Sequence, residues 1–272
     1  MQVALLSHSL ALHQMLTVLS EVALKRATNH ELGNVQLFLE RLLVEVVSEN
    51  YRYFLSEHMS YRHRVKQDAN TRCWPPLLAN ERQVSGLFAV GLSRVCPVSR
   101  PEHPISRSPS SREGDNERTP SESGRIDFLA TFGARHIALE LKRCPIATIG
   151  NPSSKAGLSA QWNTVSSQAK QALVHMRSKK DFYDSPVSVG LLVIRVSRKV
   201  TSKREVELAR QEEAASLPTV AESVKKLTNA DFLAYHTPPA EMQTSYGWGK
   251  DGDQYRVFPG VIFAAVVHGN TR

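Results

Sequence analysis

The stretch SVGLLVIRV, residues 188 to 196, is an almost continuous apolar run. A strand with one face in water alternates polar and apolar residues, whereas an unbroken run needs cover on both faces. That constraint excludes an open sandwich strand and points to a central strand in a sheet with helices on either side. The chain supplies the helices. Val35, Phe38, Leu39, Leu42, Leu43, Val46 and Val47 recur at helical spacing, as do Trp162, Val165, Ala169, Leu173 and Met176. Residues 1 to about 70 read as helical, with the first stripe buried on the rest of the chain or on a partner. Ser159 is placed to cap the second helix. Further helices are expected from about Lys203 to Asn229, then strands near Phe232–His236 and Arg256–Val267.

Two segments lack such patterning. CPIATIGNPSSKAGL, from Cys144, reads as a loop. Residues 99 to 123 are rich in Ser, Pro and charge, with almost nothing apolar to bury, so they read as a disordered insertion. The expected division is a helical amino-terminal region over 1–76 and an α/β domain over 77–272 that contains the insertion.

Between the insertion and the loop lies GRIDFLATFGARHIALELKR, residues 124 to 143. Gly133-Ala134 separates two alternating runs, and glycine first in a two-residue loop suits a type II′ hairpin. Phe132 then pairs with Arg135, and counting outward sets Asp127 opposite Glu140, with Lys142 on the face of Glu140. The other face collects Ile126, Phe128, Ala130, Phe132, Ile137, Leu139 and Leu141. Opposed carboxylates at Cβ separations of ~4.5–5.5 Å repel unless something positive lies between them. A divalent cation such as Mg²⁺ does this with one or two carboxylates, the other positions going to water and phosphate. Lys142 would then orient a metal-bound water or stabilise charge on a phosphate. On the hairpin alone, a surface salt bridge of Lys142 with both acids serves equally well.

The order of acid, turn, strand and Glu-x-Lys resembles the PD-(D/E)XK nuclease superfamily, which has the restriction-endonuclease-like fold. Asp127 matches the first acid and Glu140-Leu141-Lys142 the second half of the motif; Ile126 stands in place of the proline. The family usually adds a glutamate on a preceding helix, here Glu81, and a glutamine on a following helix, here Gln168. Ala172 replaces a tyrosine that often follows the glutamine, and Val95 to Ser99 is the candidate for the intervening strand. The resemblance spans roughly residues 78 to 200. It implies a mixed central sheet flanked by helices and metal-dependent phosphodiester hydrolysis. Asp127 and Glu140 would hold Mg²⁺ or Mn²⁺, Lys142 would position the water, and Glu81 and Gln168 would support them. The alternative is a catalytically silent subunit of the same fold that binds nucleic acid or protein. Repair, restriction, defence and transposition proteins share this fold, which alone does not select among them.

Charge agrees with an anionic partner. The net charge is +8 and the isoelectric point is near 9.5. Residues 101 to 123 hold three basic and five acidic residues, so the remainder carries +10. DNA is expected ahead of RNA, with Arg195, Arg198 and Lys199 as candidate phosphate contacts and Arg177, Lys179 and Lys180 as a second basic cluster. The amino-terminal helices are a candidate surface for self-association or a protein partner. Cys73, Cys96 and Cys144 lack the C-x-x-C spacing of a zinc site or redox motif. No P-loop, G-x-S-x-G elbow or H-E-x-x-H pair is present. With no signal-like start and no apolar run of ~20 residues, a cytoplasmic protein without a membrane segment is expected.

Overall fold

The computed structural model describes residues 16–18, 30–64, 77, 81–107, 122–146, 152–179, 186–202, 204–238, 246–248 and 254–269. A mixed sheet of eight strands runs in the order β1-β6-β8-β5-β4-β3-β2, with β7 paired to β8. The strands are β1 (Leu16–Val18), β2 (Val98–Arg107), β3 (Glu122–Phe132), β4 (Arg135–Ile146), β5 (Val187–Val200), β6 (Phe232–His236), β7 (Tyr246–Trp248) and β8 (Gln254–His268). The helices are α1 (His30–Arg64), α2 (Glu81–Val95), α3 (Pro152–Ser178) and α4 (Glu205–Thr228). Only β4 and β5 run parallel, joined through α3; the other pairs are antiparallel.

The apolar run does what its composition asks. It forms β5, in the middle of the sheet and buried on both faces. Val187, Val189, Leu191 and Val193 pack with α1 and α2, along with Ile137, Leu139 and Leu141 of β4. Leu192, Ile194 and Val196 face the other way, against Leu158 and Val165 of α3 and Leu217, Ala221 and Val224 of α4. The helical stripe from Val35 to Val47 belongs to the first core, so α1 covers the sheet and is built into the same core as residues of the expected α/β domain. Leu16–Val18, within the stretch expected to be helical, is a strand paired with β6.

Two further expectations change. Residues 99 to 107, read as the start of a disordered insertion, belong to an edge strand paired with β3. An edge strand needs only one neighbour and no apolar face. Pro101 and Pro104, which lack N–H donors, are tolerated at an edge and discourage a further strand from adding there. Of the rest of that insertion, Glu122 and Ser123 begin β3 and 108 to 121 lie outside the described residues. Helix α3 begins at Pro152 within the expected loop, where proline's fixed φ is compatible with a first helical turn. Ser159 therefore lies inside the helix, not at its cap. Deleting Pro101–Ser123 removes most of β2 and is expected to lower the thermal midpoint by about 10 °C, read by circular dichroism.

Candidate active site

The hairpin register is the one its turn dictates. Gly133 takes φ +60 and Phe132 pairs with Arg135. The β3–β4 ladder continues to Phe128 and Leu139, then stops. β4 keeps pairing with β5 as far as Ile146, and β3 keeps pairing with β2 as far as Glu122, so the two strands part beyond Leu139. Asp127 and Glu140 are the next residues on either side of that opening. Leu141 N–H, which has lost its ladder partner, donates to Asp127 Oδ2 at 2.8 Å. The carboxylate thus replaces a missing backbone acceptor.

A second distortion marks the same level. In the β2–β3 ladder, pairing skips from Pro101↔Phe128 to His103↔Ile126, and the intervening Glu102 takes φ +51. Strand β3 changes its facing there. Ile126, expected beside Phe128, packs with Leu129, Ala138, Ala172 and Met176 on the α3 side. The apolar set expected on one face is otherwise found together: Phe128, Ala130, Ile137, Leu139 and Leu141 lie in the α1–α2 core, with Phe132 against it. The opposite face is covered by α3 rather than left to solvent.

Glu140 sits on that covered face at 1% exposure. A buried carboxylate is costly unless compensated, which excludes a solvated surface salt bridge as its role. Lys142 Nζ lies 3.4 Å from Glu81 Oε1, at the start of α2. Thus the helix on one side of the sheet and the lysine of β4 meet at the opening. Gln168 lies one turn after Val165, whose carbonyl rests on Gly190, the β5 partner of Glu140. The flank of α3 bearing Ser166, Lys170 and Arg177 faces the end of β8. Gln168 and His175 lie on the other flank, where His175 meets His103 of β2 with ring centroids 6.4 Å apart. Gln168 Oε1 is buried and accepts no hydrogen bond among the described residues.

Arg143 was not singled out by sequence reasoning, although Lys142-Arg143 at the end of a strand was a visible signal. Its Nε is buried without a hydrogen bond among the described residues. Burial pulls its guanidinium below the ordinary arginine value, and the Glu81 charge opposes that shift. Neighbouring Cys144 is no candidate nucleophile: burial pushes its thiol up to about 11, although Arg143 pulls the other way.

No protein family, curated protein or solved structure matches the chain. Among the described residues, no cluster of three or more His, Cys, Asp or Glu side chains is arranged to hold a metal. Asp127 and Glu140 flank the opening, and a hard cation can complete two carboxylates with water and phosphate oxygens. No helix among the described residues is long and apolar enough to cross a membrane.

The candidate phosphate contacts have separate surroundings. Arg195 stacks over Phe258 at 5.0 Å, Arg198 pairs with Glu212 at 2.9 Å, and Lys199 is exposed. Arg198 and Lys199 are consecutive on β5, so their side chains leave opposite faces. Arg177 binds the Gly269 carbonyl at 3.1 Å, and Lys180 lies outside the described residues.

Two histidines under and beside α3 make stability depend on pH. Burial, Lys170 and, oppositely, Asp231 and Ser166 act on His268, and the balance lowers its pKa from 6.5. Burial, Lys179 and His103 lower that of His175. Below about pH 6.5 the unfolded chain therefore takes up more protons than the folded one, and stability falls as pH drops through that window. Urea unfolding at pH 8 and pH 5.5 is expected to show this loss, and His268→Gln is expected to reduce it.

Proposed function

We propose that this chain is a Mg²⁺-dependent nuclease that hydrolyses phosphodiester bonds in DNA, built on a PD-(D/E)XK core running from α2 to β5. The observation that carries the proposal is the parting of β3 and β4, with Asp127 and Glu140 on its two sides and Lys142 tied to Glu81 at its mouth. The order α2-β2-β3-β4-α3-β5 also supplies a glutamate on the preceding helix and a glutamine on the following one.

The donor set suits a hard cation. Asp127 brings a carboxylate that accepts from Leu141 N–H, Glu140 contributes a buried carboxylate, and the unsatisfied Gln168 oxygen lies on the flank of α3 turned to this side. Asp127 and Glu140 would hold Mg²⁺, which when bound polarises a phosphate and makes water a better nucleophile. Lys142 carries fixed positive charge to the mouth, where it orients the attacking water and offsets charge building on the phosphoryl oxygens. Glu81 limits where the lysine ammonium can go. Helix α3 shuts bulk solvent away from Glu140, which strengthens every charge interaction around it.

The direct test is cleavage of single- and double-stranded DNA and RNA with Mg²⁺, with Mn²⁺ and with EDTA. Cleavage of DNA that EDTA abolishes is the expected result. Absence of cleavage with either metal, together with retained DNA binding, would assign the fold to a silent binding subunit instead.

A further inference from the structure

Lys142 and Arg143 are consecutive on a strand, so their side chains leave β4 on opposite faces. Lys142 goes with Ala138, Glu140 and Cys144 to the α3 side, and Arg143 goes with Ile137, Leu139 and Leu141 to the α1–α2 side. Both nevertheless lie in the field of one carboxylate. Glu81 Oε1 is 3.4 Å from Lys142 Nζ, and the Glu81 charge acts on the Arg143 guanidinium. With a divalent cation balancing Asp127 and Glu140, Lys142 and Arg143 outnumber Glu81, the one acid left at the mouth of the opening.

Arg143 is also incompletely used. A guanidinium carries five N–H donors, and the Nε of this half-buried one makes no hydrogen bond among the described residues. The carboxylate that acts on it, Glu81, has a side chain 53% exposed, so that acid can turn into water at little cost. A phosphodiester offers two non-bridging oxygens that match the guanidinium fork. We propose that Arg143 grips a backbone phosphate of the bound strand beside the scissile bond, and that Glu81 is the counter-ion it releases in doing so. This rests on the nuclease reading of Asp127, Glu140 and Lys142, and adds to it a residue that positions substrate.

The test measures binding of a short fluorescein-labelled DNA in EDTA across a KCl series, beside Mg²⁺-dependent cleavage. Arg143→Met keeps an apolar stem of similar length but removes the fork. It is expected to weaken binding about tenfold and to reduce the slope of log Kd against log salt by about one. KM rises in step and kcat changes by less than about threefold, because the contact exists in ground and transition states alike. Arg143→Lys restores the salt slope and only part of the affinity. Lys226→Met removes an equal charge from the exposed face of α4 and leaves binding within about twofold.

Wild-type binding and slope in Arg143→Met, with wild-type enzyme cleaving normally, would overturn this proposal and leave the nuclease reading standing. A fall in kcat at unchanged KM and Kd would overturn it too. If wild type neither binds nor cleaves DNA, both readings fall together. Should Arg143→Met lose its thermal transition, Glu81→Gln decides. Tighter DNA binding, by about threefold, supports release of a counter-ion; unchanged or weaker binding counts against it.

Discussion

Asp127→Asn is expected to abolish Mg²⁺-dependent cleavage and weaken Mg²⁺ binding together, while the fold survives. Asparagine retains a side-chain oxygen for Leu141 N–H, now held by Asp127 Oδ2 at 2.8 Å, but no longer brings a negative charge to a cation. Asp127→Ala removes both roles. It should show the same catalytic loss and additionally be less stable than Asp127→Asn by about 1–3 kcal/mol, the cost of a stranded backbone donor. Lys142→Ala separates chemistry from metal binding. Both carboxylates stay, so Mg²⁺ should bind as well as in wild type or better, a repelling cation having gone. Cleavage should fall at least about a hundredfold, the usual scale for losing one preorganised electrostatic stabiliser. Calorimetric Mg²⁺ titration beside cleavage assays reads all three variants. A Lys142→Ala enzyme that cleaves at the wild-type rate would remove the lysine from the mechanism. A wild-type protein that neither binds Mg²⁺ nor cleaves would leave the charged opening as structure and the chain as a binding module.

The hairpin was legible because its register depends on a local event. Gly133 takes the positive φ that a two-residue loop needs, and every pairing back to Phe128 follows from it. β5 was legible for a similar reason, since a strand buried on both faces must be apolar throughout. The edge strand β2 was legible only at Val98 and Ser99, the end of the expected Val95–Ser99 strand. Its residues bury little, and Arg100, Pro101, Glu102 and Pro104 look alike whether they pair with one strand or with none. Nor was the change of facing at Ile126 legible. Period-two counting assumes an undistorted ladder, and the ladder breaks at Glu102 opposite Asp127. Arg143 was overlooked because attention to one face of β4 discards every second residue, although the second face lies in the field of the same glutamate.

These distortions and the candidate site occupy the same place. A regular β3–β4 ladder would cover Leu141 N–H with a backbone carbonyl and close the gap between Asp127 and Glu140. In its absence β3 stays paired with β2 and β4 with β5. The site thus depends on β4 being firmly held by β5 and by the helix above it.

That helix sits on a glycine, and the largest expected loss of stability near the site follows from it. A Cβ at Gly190 would stand 2.9 Å from the Val165 carbonyl oxygen of α3 and 3.0 Å from Val266 Cγ1 of β8. The first neighbour is helix backbone, which cannot rotate aside as a side-chain tip can. Gly190→Ala must therefore lift α3 or push β5, at a cost of about 1–3 kcal/mol, or a few to about 10 °C in thermal midpoint for a chain of this size. Gly157, on the same helix, has nothing within 4 Å of its added Cβ. There alanine should stabilise by up to about 1 kcal/mol, the ordinary difference in helix propensity. Opposite signs at the two glycines, read by urea unfolding, would locate the close approach of α3 at Gly190. Gly190 also neighbours Glu140 in the parallel register, and Gln168 is one turn from Val165. Gly190→Ala should therefore lower cleavage more than its stability loss explains at temperatures where the variant remains folded, whereas Gly157→Ala should leave cleavage unchanged. Equal cleavage by folded Gly190→Ala and wild type would mean that the seating of α3 does not matter to the chemistry, and that Gln168 has no part in it.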